Sequence, residues 1–204
     1  MKRKSNERIK KANQIFKQFS ATIERLSADN NFLRVVDLLK TCKGKIITTG
    51  MGKAGIAMQK FSSTLCSLGM PSCYLHPGEA SHGDLGLVGS KDILFVASTS
   101  GKTREVMEIM DLARNVNVKY IIGITSHPDS PVREKADFVI DMGEIEEAGE
   151  LKLAPTTSIL VIQCLTDALA LIASEEKGLT REEYGKYHHS GYLGQLARKD
   201  GKLY

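Results

Sequence analysis

Hydroxyl side chains crowd one short segment of the chain, STSGKT at residues 98–103. The segment follows the apolar run DILFVA and precedes a helical pattern, so its backbone N–H groups would open a helix. Hydroxyls, open amides and a helix N-terminus are together typical of a phosphate-binding loop, although hydroxyls there can also serve only as helix N-caps. The residues that we expect to bind a phosphate are Ser98, Thr99, Ser100 and Thr103.

A glycine-rich turn, GMGKAG at residues 50–55, follows the strand-like run KIITT. It matches G-x-G-x-x-G, a pattern that dinucleotide-binding folds also use. Such a fold would end its second strand on an acidic residue that holds a ribose, but residues 75–77 read LHP. Lys53 lies inside the turn, where its ammonium could meet a small anion. We expect Gly50, Gly52 and Lys53 to contact the ligand; a tight turn with an exposed lysine is the alternative.

Two histidines and two acids lie within nine residues, in HPGEASHGD at 76–84. Histidine titrates near neutral pH, so it can transfer protons or bind a metal. His82 is the candidate here, and a turn with a capping Asp84 and a surface His76 is the alternative. A second pair, His188 and His189, lies in the segment YHHSG and is either catalytic or part of a surface tail.

An acidic run between Glu144 and Glu150 precedes LAPTTS at 153–158. Such a run is usually a solvated surface. Here it lies at the end of the fifth predicted strand, so one acid could reach the site. The proline or the threonine after it is expected to begin a long helix.

Strands and helices alternate along most of the chain and would position these loops. Short apolar runs predict five strands at 45–49, 72–75, 92–97, 119–124 and 137–140. Helical spacing predicts helices at about 54–68, 103–115 and 156–176, and a shorter one from Thr180. This order predicts an α/β fold with a mainly parallel sheet covered on both faces, in which ligands bind beyond the carboxyl ends of the strands.

The first 41 residues form a separate region. Residues 5–41 lack glycine and proline and carry apolar residues at helical spacing, with a break near Asp29. We expect two amphipathic helices that form a helical arm and contact another subunit.

Composition excludes several classes of protein. The 204 residues are 42% hydrophobic and 25% charged, with a net charge of +4, which is ordinary for a globular protein of one domain. A basic start without an apolar stretch is not a signal peptide, and the apolar segment 158–173 contains polar residues typical of a buried helix rather than a membrane span. We expect four buried free thiols (Cys42, Cys66, Cys73 and Cys164), a cytoplasmic location and no nucleic-acid partner.

The motifs GMGKAG, HPGEASHGDLG, STSGKTREV and LAPTTS together resemble the sugar-isomerase (SIS) domain, and more narrowly the D-arabinose 5-phosphate isomerases. The resemblance runs from about Gly44 to Leu193. It implies a three-layer αβα sandwich with five parallel strands, a SIS domain over 42–204 after the arm at 1–41, and a homotetramer with sites at subunit contacts. It also implies the interconversion of D-ribulose 5-phosphate and D-arabinose 5-phosphate, towards the acidic sugar Kdo of lipopolysaccharide or capsule. The chain resembles short members without CBS domains.

The resemblance also implies site residues. The family's catalytic positions fall on Lys53, His82, Glu105, Glu147 and His188, and Thr156 and His189 would contact the substrate. The chain departs from the family's His-Pro-Gly-Gly at 188–191, which reads HHSG, so the choice between His188 and His189 stays open.

Isomerisation of this kind requires no cofactor and no metal, although zinc bound at His82 would be expected to inhibit. A Kdo-derived regulator is a reasonable further ligand. The alternatives are a non-catalytic sugar-phosphate sensor and an isomerase for another phosphosugar. A sensor would not need proton-transfer groups, so their presence in the sequence disfavours it. The segment HPGEASHGD disfavours an isomerase for another phosphosugar.

Overall fold

A five-stranded parallel sheet forms the centre of the protein. The computed structural model describes residues 2–197, and the side chains from Ser5 onward. The strands lie in the order β2-β1-β3-β4-β5, and every pair is parallel. Their bounds are β1 Ile46–Gly50, β2 Ser72–Tyr74, β3 Ile93–Ala97, β4 Tyr120–Thr125 and β5 Phe138–Asp141. All five predicted strands are confirmed, each within a residue or two of its predicted bounds.

Helices connect the strands and cover the sheet. The longer ones are α1 Lys2–Ile23, α2 Asn30–Thr41, α3 Gly52–Ser67, α5 Arg104–Asn115 and α7 Thr157–Glu176. The shorter ones are α4 Pro77–Ala80, α6 Pro131–Lys135, α8 Arg181–Tyr187 and α9 Gly191–Ala197, with a 3₁₀ turn at Asp84–Leu87. Sequence patterns missed α4, α6, α9 and the 3₁₀ turn, because elements of four to seven residues are too short to show a helical period.

Two apolar cores lie on opposite faces of the sheet. One is built on Ile46 and Phe95, and the edge of the Phe61 ring packs on Phe95 with 5.2 Å between centroids. The other is built on Ile47 and Leu94, the next residues along the same strands. Side chains of a strand point alternately to its two faces, so a strand that is buried throughout faces helices on both sides. The predicted αβα sandwich is confirmed.

The N-terminal arm divides into two parts that pack differently. Asp29 caps α2, accepting a hydrogen bond from the Phe32 N–H at 2.8 Å. The inner face of α2 belongs to the main core through Phe32, Val35, Val36 and Leu39. By contrast, α1 exposes three large apolar side chains spaced seven residues apart: Ile9, Phe16 and Ile23. The proposed boundary after residue 41 stays a prediction.

Helix α7 is long and apolar enough to span a membrane by length and composition alone. It nevertheless packs against α2 and α3, and side chains such as Val161, Leu165 and Leu169 lie in the main core. These contacts are those of a core helix, as the sequence predicted.

All four cysteines are free thiols, as predicted. Cys66 is exposed, so the expectation that it is buried was wrong; the other three are half-buried. Burial raises the pKa of the Cys42, Cys73 and Cys164 thiols above the ordinary value.

Candidate active site

The order of the strands creates a crevice at the carboxyl edge of the sheet. Strand β1 lies between β2 and β3, so the connections that leave β1 and β3 run to opposite faces. Gly50 and Ala97, the last residues of β1 and β3, are paired neighbours. The glycine turn and the hydroxyl loop therefore leave the sheet side by side, at the switch point where α/β sheets bind ligands.

The glycine turn is held by close backbone contacts. A Cβ on Gly55 would lie 2.4 Å from the Gly50 carbonyl oxygen, so no larger residue fits there. The Tyr74 hydroxyl donates a hydrogen bond of 2.7 Å to that same oxygen. Gly52 has φ +60°, which favours glycine. Sequence analysis missed Tyr74 as a support of the turn, since only the pairing of β2 with β1 brings it there.

Lys53 is the second residue of α3 and lies exposed at this edge. Its ammonium makes no hydrogen bond or ion pair with the residues that the structure describes. A cation without a partner, next to a helix N-terminus, is available to an anionic ligand.

The hydroxyl loop is preformed by its own hydrogen bonds. Ser98 Oγ lies 2.9 Å from Thr103 Oγ1 and accepts a hydrogen bond from the Gly101 N–H at 3.1 Å. Gly101 has φ +64°, and a Cβ there would lie 2.3 Å from Ser130 Cβ. The Ser98 hydroxyl, only 3% exposed, is therefore used to shape the loop. Ser100 is half-buried, and its Oγ accepts a hydrogen bond from the Lys102 N–H at 3.3 Å.

Thr99 ties the loop to the end of β4. Its carbonyl accepts hydrogen bonds from Ser126 N–H at 3.1 Å and Thr125 Oγ1 at 3.2 Å, with His127 Nδ1 also 3.2 Å away. Helix α5 follows at Arg104, and no side chain of its N-cap residue bonds to its first turn. Because the first N–H groups of a helix have no partner inside the helix, this turn can accept a phosphate.

Glu105 lies in that same first turn and is half-buried. Its Oε1 lies 4.0 Å from Arg104 Nη2, a pair that is largely solvated on the Arg104 side. The carboxylate thus lies at the carboxyl edge with the hydroxyl loop, and the catalytic role that the family resemblance implied stays a prediction.

The histidines of the second loop differ from each other. His76 lies exposed, as the structural alternative expected, and it also caps α4, since its Nδ1 accepts a hydrogen bond from the Gly78 N–H at 3.2 Å. His82 lies exposed in the turn after α4, and its ring has no partner among the described residues. Because α4 packs against α5, this turn lies on the α5 side of the crevice.

Glu147 lies at the start of α7. Its Oε2 accepts hydrogen bonds from Thr156 N–H at 2.7 Å, Thr156 Oγ1 at 3.3 Å and Ser158 N–H at 3.4 Å. The carboxylate therefore caps the helix, and it occupies the donors of Thr156, which was expected to contact the substrate.

The C-terminal histidines lie apart from these loops. The His188 ring stacks on Tyr184 with 4.0 Å between centroids, and its Nδ1 lies 3.1 Å from the Tyr184 carbonyl oxygen. The preceding Tyr187 packs against Gly69, just beyond the far end of α3. Lys53 and Gly69 are separated by about 24 Å along that helix. One chain thus gathers the other predicted catalytic residues at one edge but does not bring His188 to Lys53; His189 is exposed beside it.

Within residues 2–197, no three His, Cys, Asp or Glu side chains are close enough to hold a metal ion. Zinc inhibition through His82 therefore stays a prediction, and so do the individual site residues. One cavity of about 410 Å³ lies between the arm and the end of β5 and is lined by Arg25, Asp29 and Asp141, among others. Another of about 520 Å³ is lined by Ser126 and His127, which contact the Thr99 carbonyl of the hydroxyl loop.

A parallel sheet with this strand order, a helix start without a side-chain cap and a lysine that is unpaired among the described residues define an α/β protein whose switch point suits an anionic ligand. The SIS domain matches residues 38–172, so the chain belongs to the SIS domain family. The resemblance seen in the motifs is thereby confirmed.

Curated relatives indicate which members of the family the chain is similar to. The chain is 37% identical over 166 residues to arabinose 5-phosphate isomerase KdsD of Pseudomonas aeruginosa. The matched segment is 81% of this chain and 51% of that protein. It is 35% identical to arabinose 5-phosphate isomerase KpsF of Escherichia coli, over 92% of this chain and 58% of that one. The chain thus spans about half the length of the curated relatives that it matches.

Two solved structures match this chain along nearly the whole of their own length. A phosphosugar isomerase from Bacteroides fragilis, described as involved in capsule formation, has a TM-score of 0.86 and 36% identity, covering 90% of this chain and 98% of its own. An Escherichia coli CFT073 protein in complex with arabinose 5-phosphate has a TM-score of 0.86 and 32% identity, with the same coverage.

Proposed function

We propose that the protein is an aldose–ketose isomerase that interconverts D-ribulose 5-phosphate and D-arabinose 5-phosphate. One observation carries the proposal: the unpaired Lys53 stands beside a preformed hydroxyl loop and an uncapped helix start at one edge of the sheet. The similarity to arabinose 5-phosphate isomerases, and to a structure that holds arabinose 5-phosphate, supports this substrate class.

Phosphate binding is assigned to the loop between β3 and α5. Ser98 and Thr103 hold the loop in shape, while Ser100, Thr99 and the first N–H groups of α5 would contact the phosphate oxygens. The phosphate lies far from the reacting carbons, so the energy of binding it can be used to hold C1 and C2 in place.

Isomerisation moves a proton between C1 and C2 through a cis-enediol, which requires a base over the carbon and donors at the oxygens. Lys53 would stabilise the developing enediolate oxygen, because its exposed ammonium lies at the switch point and has no partner among the described residues. Glu105 and His188 are the proposed proton-transfer groups, with His82 assisting. Gly50 and Gly52 let the backbone approach the sugar, and His189 is a further binding residue.

Assembly is part of the proposal, since His188 lies near the opposite end of α3 from Lys53. A site that uses both residues must combine two subunits. The exposed apolar stripe of α1 (Ile9, Phe16 and Ile23) offers a surface for such contacts. A homotetramer is the proposed assembly.

The product would feed synthesis of Kdo for lipopolysaccharide or capsule in the cytoplasm. The capsule role stated for the Bacteroides fragilis structure supports this pathway. A Kdo-derived compound that competes at the same pocket is the proposed regulator. The sensor alternative is not favoured, because two curated relatives at 35% and 37% identity are named arabinose 5-phosphate isomerases.

The direct test is to incubate the protein with D-ribulose 5-phosphate in EDTA and to identify the product by NMR. Formation of D-arabinose 5-phosphate is the expected result. Recovery of unchanged D-ribulose 5-phosphate, from protein that still binds it, would favour the sensor instead.

A further inference from the structure

The geometry points to Glu147 and Gln18 as positioning residues: together they fix the start of α7 beside Lys53, and neither transfers a proton. This inference rests on the proposed isomerase function and assigns Glu147 a different role from the one that the family resemblance implies. It also makes the N-terminal helix α1 part of the active site.

The Glu147 carboxylate is already used as a helix cap. One oxygen accepts three hydrogen bonds, from Thr156 N–H, Thr156 Oγ1 and Ser158 N–H. The adjacent hydroxyls of Thr157 and Ser158 are buried and have no hydrogen-bond partner in the described structure. Glu147 is therefore the side chain that caps the backbone N–H groups of this turn. A carboxylate near a helix N-terminus is also favoured by the helix dipole.

The turn that Glu147 holds lies next to the start of α3. Lys60 of α3 forms an ion pair with Asp167 of α7, and Ala54 and Ile159 pack on the same core cluster. Helix α3 follows the carboxyl end of β1 and α7 follows that of β5 in the same parallel sheet, so the two helices run in the same direction and begin at the same edge. A shift of the first turn of α7 would thus displace the α3 turn that carries Lys53.

Gln18 of α1 fixes the segment that carries Glu147. Its Nε2 donates to the backbone carbonyls of Glu146 at 3.3 Å and Glu147 at 3.4 Å. These hydrogen bonds join the arm to a loop that contains Gly149 with φ +90° and Lys152 with φ +50°. Ile145 and Ala148 of this loop pack inward, and Glu150 pairs with Lys11 of α1 at 3.9 Å, so the Gln18 amide is one of several contacts that limit its movement.

The first experiment compares Glu147→Gln with Glu147→Ala in the full chain. A glutamine carbonyl can still accept the hydrogen bonds of the cap but cannot exchange a proton as a carboxylate does. We expect Glu147→Ala to lower kcat/KM about 100-fold through misplacement of the site, and Glu147→Gln to lose about tenfold or less. In Glu147→Gln both limbs of the pH profile of kcat/KM should remain. A Gln variant as inactive as the Ala variant, or one lacking a limb, would overturn the inference.

The second experiment tests the arm with Gln18→Met and, as a matched control, Gln14→Met. Gln14 lies one turn earlier on the same helix, is exposed and makes no hydrogen bond with the described residues. We expect Gln18→Met to lower kcat about threefold to tenfold and Gln14→Met to leave it unchanged. Equal rates for the two variants would remove Gln18 from the scheme.

A readout without substrate separates this inference from the proposed function. Amide hydrogen exchange at 156–160 should accelerate in Glu147→Ala and Gln18→Met but not in Gln14→Met, because the cap and its support are lost. Unchanged exchange would overturn the inference even in an active isomerase. An inactive wild-type protein with accelerated exchange in those variants would instead refute the proposed function and leave the cap in place.

Discussion

The two edges of the sheet use charged residues in opposite ways. At the amino edge, the Asp92 side chain is buried, with the residue 2% exposed, and its partners are the Lys45 N–H at 2.6 Å, the Gly89 N–H at 2.8 Å and the Lys45 ammonium at 2.9 Å. At the carboxyl edge, Lys53 and His82 are exposed and have no partner among the described residues.

A second carboxylate repeats the pattern at the amino edge. Asp137 accepts hydrogen bonds from the Ile121 N–H at 2.7 Å and from Arg114 Nη2 at 2.9 Å. Carboxylates there are saturated by the backbone of neighbouring strands, so they stabilise the sheet. The comparison teaches that Asp92 and Asp137 at the amino edge serve the fold, whereas Lys53 and His82 at the carboxyl edge stay available to a ligand.

The largest effect is expected when the Lys53 ammonium is removed from the carboxyl edge. Lys53→Ala should lower kcat/KM for D-arabinose 5-phosphate at least about 100-fold, because the developing oxyanion loses its cation. Its control is Lys91→Ala, an exposed lysine beside the amino edge whose ammonium has no partner in the described structure. Steady-state kinetics should show no change for Lys91→Ala; equal losses in both variants would erase the distinction between the edges.

Asp92→Asn removes the buried carboxylate from the amino edge. The variant places an amide donor where the carboxylate accepted several donors, so the free energy of unfolding should fall by about 2–3 kcal/mol. Urea denaturation measures this, with Asp129→Asn, an exposed loop aspartate, expected to change stability by about 0.5 kcal/mol or less. At urea concentrations too low to unfold the variant, kcat should stay at the wild-type value. Loss of kcat in folded Asp92→Asn would contradict the purely structural role.

The pH dependence of stability sharpens the same contrast. Burial alone would raise the pKa of Asp92, but hydrogen bonds from Lys45 and Gly89 and the Lys45 ammonium outweigh it and lower the pKa below 3.8. A lowered pKa stabilises the fold above the unfolded value, and this stability is lost as pH falls through the folded value. Wild-type stability should therefore drop more steeply below about pH 4 than that of Asp92→Asn. Parallel curves in acid denaturation would refute this.

The smallest effect concerns the ammonium at the amino edge. The Lys45 side chain is 43% exposed, so its ion pair with Asp92 is screened by solvent. Lys45→Met keeps the backbone N–H that Asp92 accepts and should cost about 0.5–1 kcal/mol in urea denaturation. A loss as large as that of Asp92→Asn would mean that the ion pair, rather than the backbone hydrogen bonds, holds this edge.

Local patterns were sufficient to predict the sheet. Runs such as DILFVA are buried throughout, as parallel strands covered on both faces must be. The glycine turn and the hydroxyl loop were also predictable, because a strand end followed by a helix start places both at the carboxyl edge.

Contacts between distant segments could not be read from local patterns. The hydrogen bonds of Gln18 span 128 and 129 residues, and the position of His188 depends on how α8 packs against α3. The cap formed by Glu147 depends on the path of the loop before α7 rather than on a helical period. For that reason, residue type and spacing indicated only that one acid of the run could reach the site, and the resemblance that singled out Glu147 did not reveal its partners.

A crystal structure of the protein with D-arabinose 5-phosphate tests the central claim most directly. The account predicts the phosphate within hydrogen-bonding distance of Ser100 and the first-turn amides of α5, with Lys53 facing the sugar oxygens and the amino edge unchanged. A sugar phosphate bound away from the switch point, for instance in the cavity lined by Arg25 and Asp141, would contradict it.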